Sequence, residues 1–229
     1  MTKYQAVLWD IGGVIVDLKS IREGYATFVD DLASSADLDP EVALDRWKST
    51  LGDHFKGRNG TQYRLARDGY AKATTELFDG DPPADWSDRL ETALEASLRS
   101  RDGAVETIST LSEAGIDLAI VSDVDTPEGN RMLETLGVRE YFDHITTSEA
   151  IGHTKPDERM FRDALEALDA DPEETIMIGD RHSHDIVGAA ALGIDAVGYG
   201  ADARGPKTDY EIDDLFEVLS IVGIDRTTP

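Results

Sequence analysis

Short apolar runs alternate with helix-period segments along most of this chain, and that alternation leaves few folds open to it. Residues 4–9, 117–121, 144–147, 175–178 and 195–199 are mostly apolar and too short for helices. Residues 103–114, 128–136, 157–168 and 183–192 place apolar side chains three or four apart, the spacing of one helix face. Strand and helix in alternation predict a parallel α/β sheet with helices on both faces. Ligands of such sheets bind at the carboxyl ends of the strands. Asp10, Ser122 and Asp180 fall there, one after each of three predicted strands.

Residues 18–98 break the alternation. The text there is helical without a convincing strand, and it is interrupted at 37–40, 57–60 and 79–83. This predicts two domains: a core from residues 1–17 and 99–229, and an inserted helical cap at 18–98 that would form a lid over the crevice. No internal repeat or low-complexity segment is visible.

The charge narrows the partners. A net charge of −25 and a pI near 4.3 weigh against nucleic acid, whose phosphates need a basic surface. A phosphorylated small molecule remains possible, because it meets a local pocket and its metal rather than the average surface. The acidic residues run through the whole chain and form a coat, which suits a salt-rich, halophilic cytoplasm where charge is screened within about 3 Å at 1 M. Without Cys there is no disulfide framework and no thiolate nucleophile. No apolar run approaches the roughly 20 residues of a membrane helix, and the first residues lack a signal-peptide plan. A soluble, cytoplasmic protein without a membrane partner is expected; the oligomeric state is not legible.

Four segments carry the chemistry: VLWDIGGVIVD around Asp10, LAIVSD ending in Ser122 and Asp123, HTKPD with Lys155, and IMIGDRHSHDIVGAAALGI with Asp180 and Asp185. Alone, each is weak; Asp10 by itself could be a turn former or helix cap. Together, in this order and after these strands, the chain resembles the haloacid dehalogenase superfamily of hydrolases, with a Rossmann-like core and a helical cap. The resemblance implies Asp10 as nucleophile, Ser122 and the backbone of Asp123 as binders of the substrate's phosphate, Lys155 as the neutralising cation, and a Mg²⁺ cofactor held by Asp10, the Gly12 carbonyl, Asp180 and Asp185. The physics agrees: a carboxylate attacking a phosphate dianion needs the repulsion cancelled first, and a hard cation with oxygen ligands does that. Asp185 either serves the metal and Lys155 or only caps the following helix.

Two positions depart from the family pattern. Asn is common where this chain has Asp123, whose backbone N–H is expected to face the phosphate while its carboxylate turns away. Family phosphatases carry an Asp as general acid where this chain has Gly12. That absence raises a 2-haloacid dehalogenase as the alternative, and a low-activity regulatory or binding protein as another. Asp180 and Asp185 favour a Mg²⁺-dependent phosphatase that hydrolyses a small phosphorylated metabolite through an aspartyl-phosphate. His182 and His184 read as loop residues near the pocket, not as a zinc pair. Lys56 and Arg58, before a helix expected to start near Thr61, are specificity candidates or part of a solvated turn.

Overall fold

In the computed structural model, which describes residues 3–78 and 80–224, two compact units divide the chain. One comprises Met1–Asp17 with Ser100–Pro229, the other Leu18–Arg99.

The first unit is a six-stranded parallel sheet in the order β3-β2-β1-β4-β5-β6. Its strands are β1 (Ala6–Trp9), β2 (Asp117–Ser122), β3 (His144–Thr147), β4 (Thr175–Gly179), β5 (Asp195–Tyr199) and β6 (Tyr210–Ile212). Every residue of β1 and β4 is buried, which is why these strands read as unbroken apolar runs rather than as alternating ones. Leu8, Ala119, Val121 and Met177 pack with Met160, Phe161 and Ala164 in one cluster. Their strand neighbours Val7, Trp9, Ile120 and Ile178 are equally buried and point to the opposite face by the pleat. Both faces are therefore covered. The chain builds outward from β1 through β2 to β3, then crosses back to β4 on β1's other side. The reversal puts β2, β1 and β4 side by side at the switch point where parallel sheets bind ligands.

The helices of this unit are α5 (Ala104–Glu113), α6 (Thr126–Thr135), α7 (Ser148–Ile151), α8 (Glu158–Leu168), α9 (Val187–Ala191) and α10 (Glu217–Val222). Two departures from the sequence expectation have local causes. The helix expected over 183–192 begins as a π-type turn at His182–Ile186 before α9; there Asp185 turns back so that its Oδ2 accepts the Arg181 N–H at 2.9 Å. The three-residue β6 was not foreseen, because three residues carry no periodicity to read.

The second unit holds α1 (Leu18–Ala36), α2 (Pro40–Lys56), α3 (Ala66–Thr75) and α4 (Trp86–Ser97), with no strand among its described residues. The break at 37–40 is built as a helix start: Asp39 accepts the N–H groups of Glu41 and Val42 at 3.0 and 3.1 Å, ahead of Pro40. Of the break at 79–83, Asp79 lies outside the described residues. The helix expected from Thr61 starts instead at Ala66. Arg64 Nη1 donates to the His54 carbonyl at 2.7 Å, and His54 Nε2 lies 3.0 Å from the Leu65 carbonyl, tying residues 64 and 65 to α2. The unit's core is aromatic. Trp47 and Tyr70 stack at 6.0 Å, and Tyr25 packs on Trp47 at 5.0 Å.

Candidate active site

Asp10 follows β1 directly, and its N–H still bonds the Ile178 carbonyl at 3.0 Å, so the sheet ladder fixes the backbone that carries the carboxylate. One of its oxygens, Oδ1, collects three donors: the Ile11 N–H at 2.8 Å, the Ser122 hydroxyl at 2.8 Å and Lys155 Nζ at 2.9 Å. Burial alone would push this carboxyl up. The Lys155 ammonium, the Arg181 guanidinium and the hydrogen bonds from Lys155 and Ser122 outweigh it and hold Asp10 below the usual carboxylate range. Asp10 is therefore ionised, oriented and only 2% exposed.

Lys155 is fully buried, and its ammonium meets three acceptors: Asp10 Oδ1 at 2.9 Å, Asp185 Oδ1 at 2.6 Å and the Val121 carbonyl at 2.8 Å. Burial opposes its charge, but Asp10, Asp185 and Asp123 raise its pKa above the ordinary lysine value. Asp185, itself fully buried, holds the other side of Lys155; burial keeps its carboxyl above the usual range despite that partner. It therefore does more than cap a helix. Gly179 makes room for it, since a Cβ there would lie 2.1 Å from the Asp185 Cβ.

Asp180, one residue past β4, differs from these. Its Oδ1 is buried without a hydrogen-bond partner, and Arg181 Nε, at 3.9 Å, is beyond hydrogen-bond reach. Burial, followed by the charges of Asp10 and Asp185, pushes the carboxyl up to about 6. Its Oδ2 lies over Gly13, where a Cβ would come within 1.9 Å and where φ is +87°. Asp10, Asp180 and Asp185 can each present one oxygen within 4.8 Å of the others.

Asp123 turns its carboxylate into the protein. Oδ1 accepts the Lys155 backbone N–H at 2.8 Å and the Ser148 hydroxyl at 3.0 Å, and Oδ2 faces Arg181 Nη2 at 3.1 Å. Sequence reasoning missed Arg181 altogether. The usable signal was Asp123 itself, since a carboxylate at that strand end calls for a counter-ion. His182 is engaged elsewhere, with Nε2 2.8 Å from the Pro206 carbonyl and its ring against Gly205. Ser183 Oγ is 3.0 Å from His184 Nδ1. Lys56 and Arg58 belong to the helical unit; Lys56 is the last residue of α2, 3.5 Å from Asp53.

The side chains gathered at these strand ends comprise four carboxylates, Asp10, Asp123, Asp180 and Asp185, and two cations, Lys155 and Arg181. The excess of two negative charges and the orphaned Asp180 oxygen match one divalent oxygen-seeking cation such as Mg²⁺.

A sequence model described as haloacid dehalogenase-like hydrolase matches residues 4–193. Ribulose-1,5-bisphosphate 5-phosphatase of Halopiger xanaduensis is 32% identical over 207 residues, which cover 81% of this chain and 84% of that protein. Pyrophosphatase PpaX of Halalkalibacterium halodurans is 35% identical over 129 residues, 54% of this chain and 60% of its own. Among solved structures, a HAD phosphatase from Thermococcus onnurineus superposes with a TM-score of 0.73 at 27% identity, over 97% of this chain and all of that one.

Proposed function

The chain belongs to the haloacid dehalogenase-like hydrolases, and from that premise we propose that it is a Mg²⁺-dependent phosphatase acting on a small phosphorylated metabolite, with Asp10 as nucleophile. The observation that carries this reading is the buried, donor-free oxygen of Asp180 beside Asp10 and Asp185. A carboxylate attacking a neutral carbon, as in dehalogenation, has no use for that third carboxylate. A phosphate dianion does, because only a bound cation lets it approach Asp10. The phosphatase names of the two relatives point the same way.

Asp10, Asp180 and the Gly12 carbonyl would hold the cation, with Asp185 beside them. When bound, Mg²⁺ supplies charge neutralisation for the phosphoryl group. Ser122, its hydroxyl turned from Asp10 to the substrate, and the Asp123 N–H donate to the phosphoryl oxygens, while Lys155 holds the Asp10 carboxylate ionised for attack on phosphorus. The attack forms the bond from Asp10 to phosphorus and breaks the bond to the ester oxygen, which leaves as the anion and takes its proton from water; water then cleaves the aspartyl-phosphate, freeing Asp10 and phosphate. The helical unit serves as the cap, with Lys56 and Arg58 as its specificity candidates. The acidic coat suits a salt-rich cytoplasm, and no helix among the described residues is long and apolar enough to cross a membrane.

Gly12 brings no acid to the leaving oxygen, and His182 is bonded to Pro206. A positioned acid is worth about 10² to 10⁴ in rate, so aryl phosphates should turn over far faster than alkyl phosphates of similar size. The test is a panel of phosphorylated metabolites and aryl esters assayed with and without Mg²⁺ at high salt. Metal-independent release of halide from 2-haloacids would overturn the reading. Gly12 is not at a positive φ, whereas Gly13 is, so Gly12→Asp is open to the backbone and should raise the alkyl rates most.

A further inference from the structure

Arg181 sits on the loop after β4 and Asp123 on the loop after β2, and the strand between these two carries Asp10. The two side chains meet across it at 3.1 Å. The Arg181 side chain is 43% exposed while that of Asp123 is 13% exposed, so the pair reaches from the interior toward solvent at the carboxyl end of the sheet. Asp123 is well held without Arg181. Its Oδ1 already has two donors, the Lys155 N–H and the Ser148 hydroxyl, and those bonds fix the backbone of Ser122–Asp123 against the Lys155 loop. What Arg181 adds is charge. Without it, Asp123 is a carboxylate with an uncancelled charge one residue after Ser122, turned inward but close enough for its field to oppose a phosphate at that strand end.

On the phosphatase reading, we propose that Arg181 is a positioning residue. It cancels the Asp123 carboxylate, so that a negatively charged group beside Ser122 becomes compatible with binding a phosphate, and the two residues act as one unit. Asp123 keeps its structural bonds, and Arg181 removes the electrostatic cost of having an acid there.

The test is a double-substitution cycle on the full chain, with inorganic phosphate as the probe and Mg²⁺ present, read by calorimetry and as the inhibition constant against an aryl phosphate. Arg181→Gln should weaken phosphate binding about tenfold or more by unmasking Asp123, and raise KM more than it lowers kcat. Arg181→Lys should recover much of the loss. Adding Asp123→Asn to Arg181→Gln should restore binding at least about fivefold, because the charge that needed cancelling is gone. Two results overturn the proposal: Arg181→Gln binding phosphate like the parent, or the double variant binding as weakly as Arg181→Gln alone, which would mean that the guanidinium grips the anion itself. Urea unfolding of the parent, Arg181→Gln, Asp123→Asn and the double variant gives a ligand-free check, and strictly additive midpoints would also overturn it. Failure of the phosphatase reading has a different signature: a parent that neither binds phosphate nor hydrolyses any ester, while the urea coupling persists.

Discussion

The two units of this protein bury polar groups in opposite ways. In the helical unit the polar groups of the aromatic core are uncharged side chains that answer one another: buried Trp47 Nε1 donates to Thr74 Oγ1 at 3.1 Å, and the part-buried Tyr25 and Tyr70 hydroxyls meet at 2.8 Å. In the sheet unit the strand ends bury full charges. Lys155 and Asp185 are wholly inaccessible and Asp10 nearly so. Burying ions costs several kcal/mol each unless they are paired, and a fold has no structural need for it. The contrast therefore marks where chemistry is placed, and it separates the two units by how they should fail.

The largest effect should come from the nucleophile. Asp10→Asn keeps the shape but loses the nucleophilic oxygen and a metal charge, so turnover should fall by about 10³-fold or more while the protein stays folded. Residual activity within about tenfold of the parent would break the covalent mechanism. Next, Lys155→Met leaves Asp10 and Asp185 facing each other with no cation between them, and should cost ~3–5 kcal/mol in urea unfolding. A near-neutral result would mean that the buried charges are not truly desolvated. In the helical unit, Thr74→Val strands the Trp47 N–H and should cost only ~1–3 kcal/mol, insensitive to salt; a strong salt dependence would blur the distinction between the units.

The smallest effect lies at the far end of the sheet, where Asp195 accepts from Lys3 at 2.6 Å and from the Tyr4 hydroxyl. Partial burial opposes its charge, but the hydrogen bonds from Lys3 and Tyr4 hold it below the ordinary aspartate value. A carboxyl depressed in the folded state contributes stability above its unfolded pKa of about 3.9, and loses it as pH falls through the folded value. Asp195→Asn should lower stability slightly at pH 7, by ~1 kcal/mol or less given the exposure of Lys3, read as a small drop in melting temperature, and the gap should close below pH of about 4. A gap that widens in acid would reverse the assigned sign.

Much of the site was legible because each piece sits where a local pattern ends. Asp10, Ser122 and Asp180 terminate apolar runs, and a parallel sheet brings such ends to one edge. Lys155 and Asp185 were legible through the resemblance, as the neutralising cation and an acid suited to holding it. That Lys155 is saturated by Asp10, Asp185 and the Val121 carbonyl could not be read, since burial and ligand count belong to three dimensions. Arg181 was missed because its partner Asp123 is 58 residues away on a different strand end, and no period links them.

The sequence by itself determined five of the six strands and their alternation with helices, because hydrophobic spacing is local and a buried parallel strand must be continuously apolar. It also determined that acids would gather at the carboxyl edge of the sheet. The tertiary structure alone decided the strand order around β1, which carboxylate is left without a donor, and which cation answers Asp123. These depend on charges brought together across the switch point, and electrostatic pairing follows distance in space rather than position in the chain.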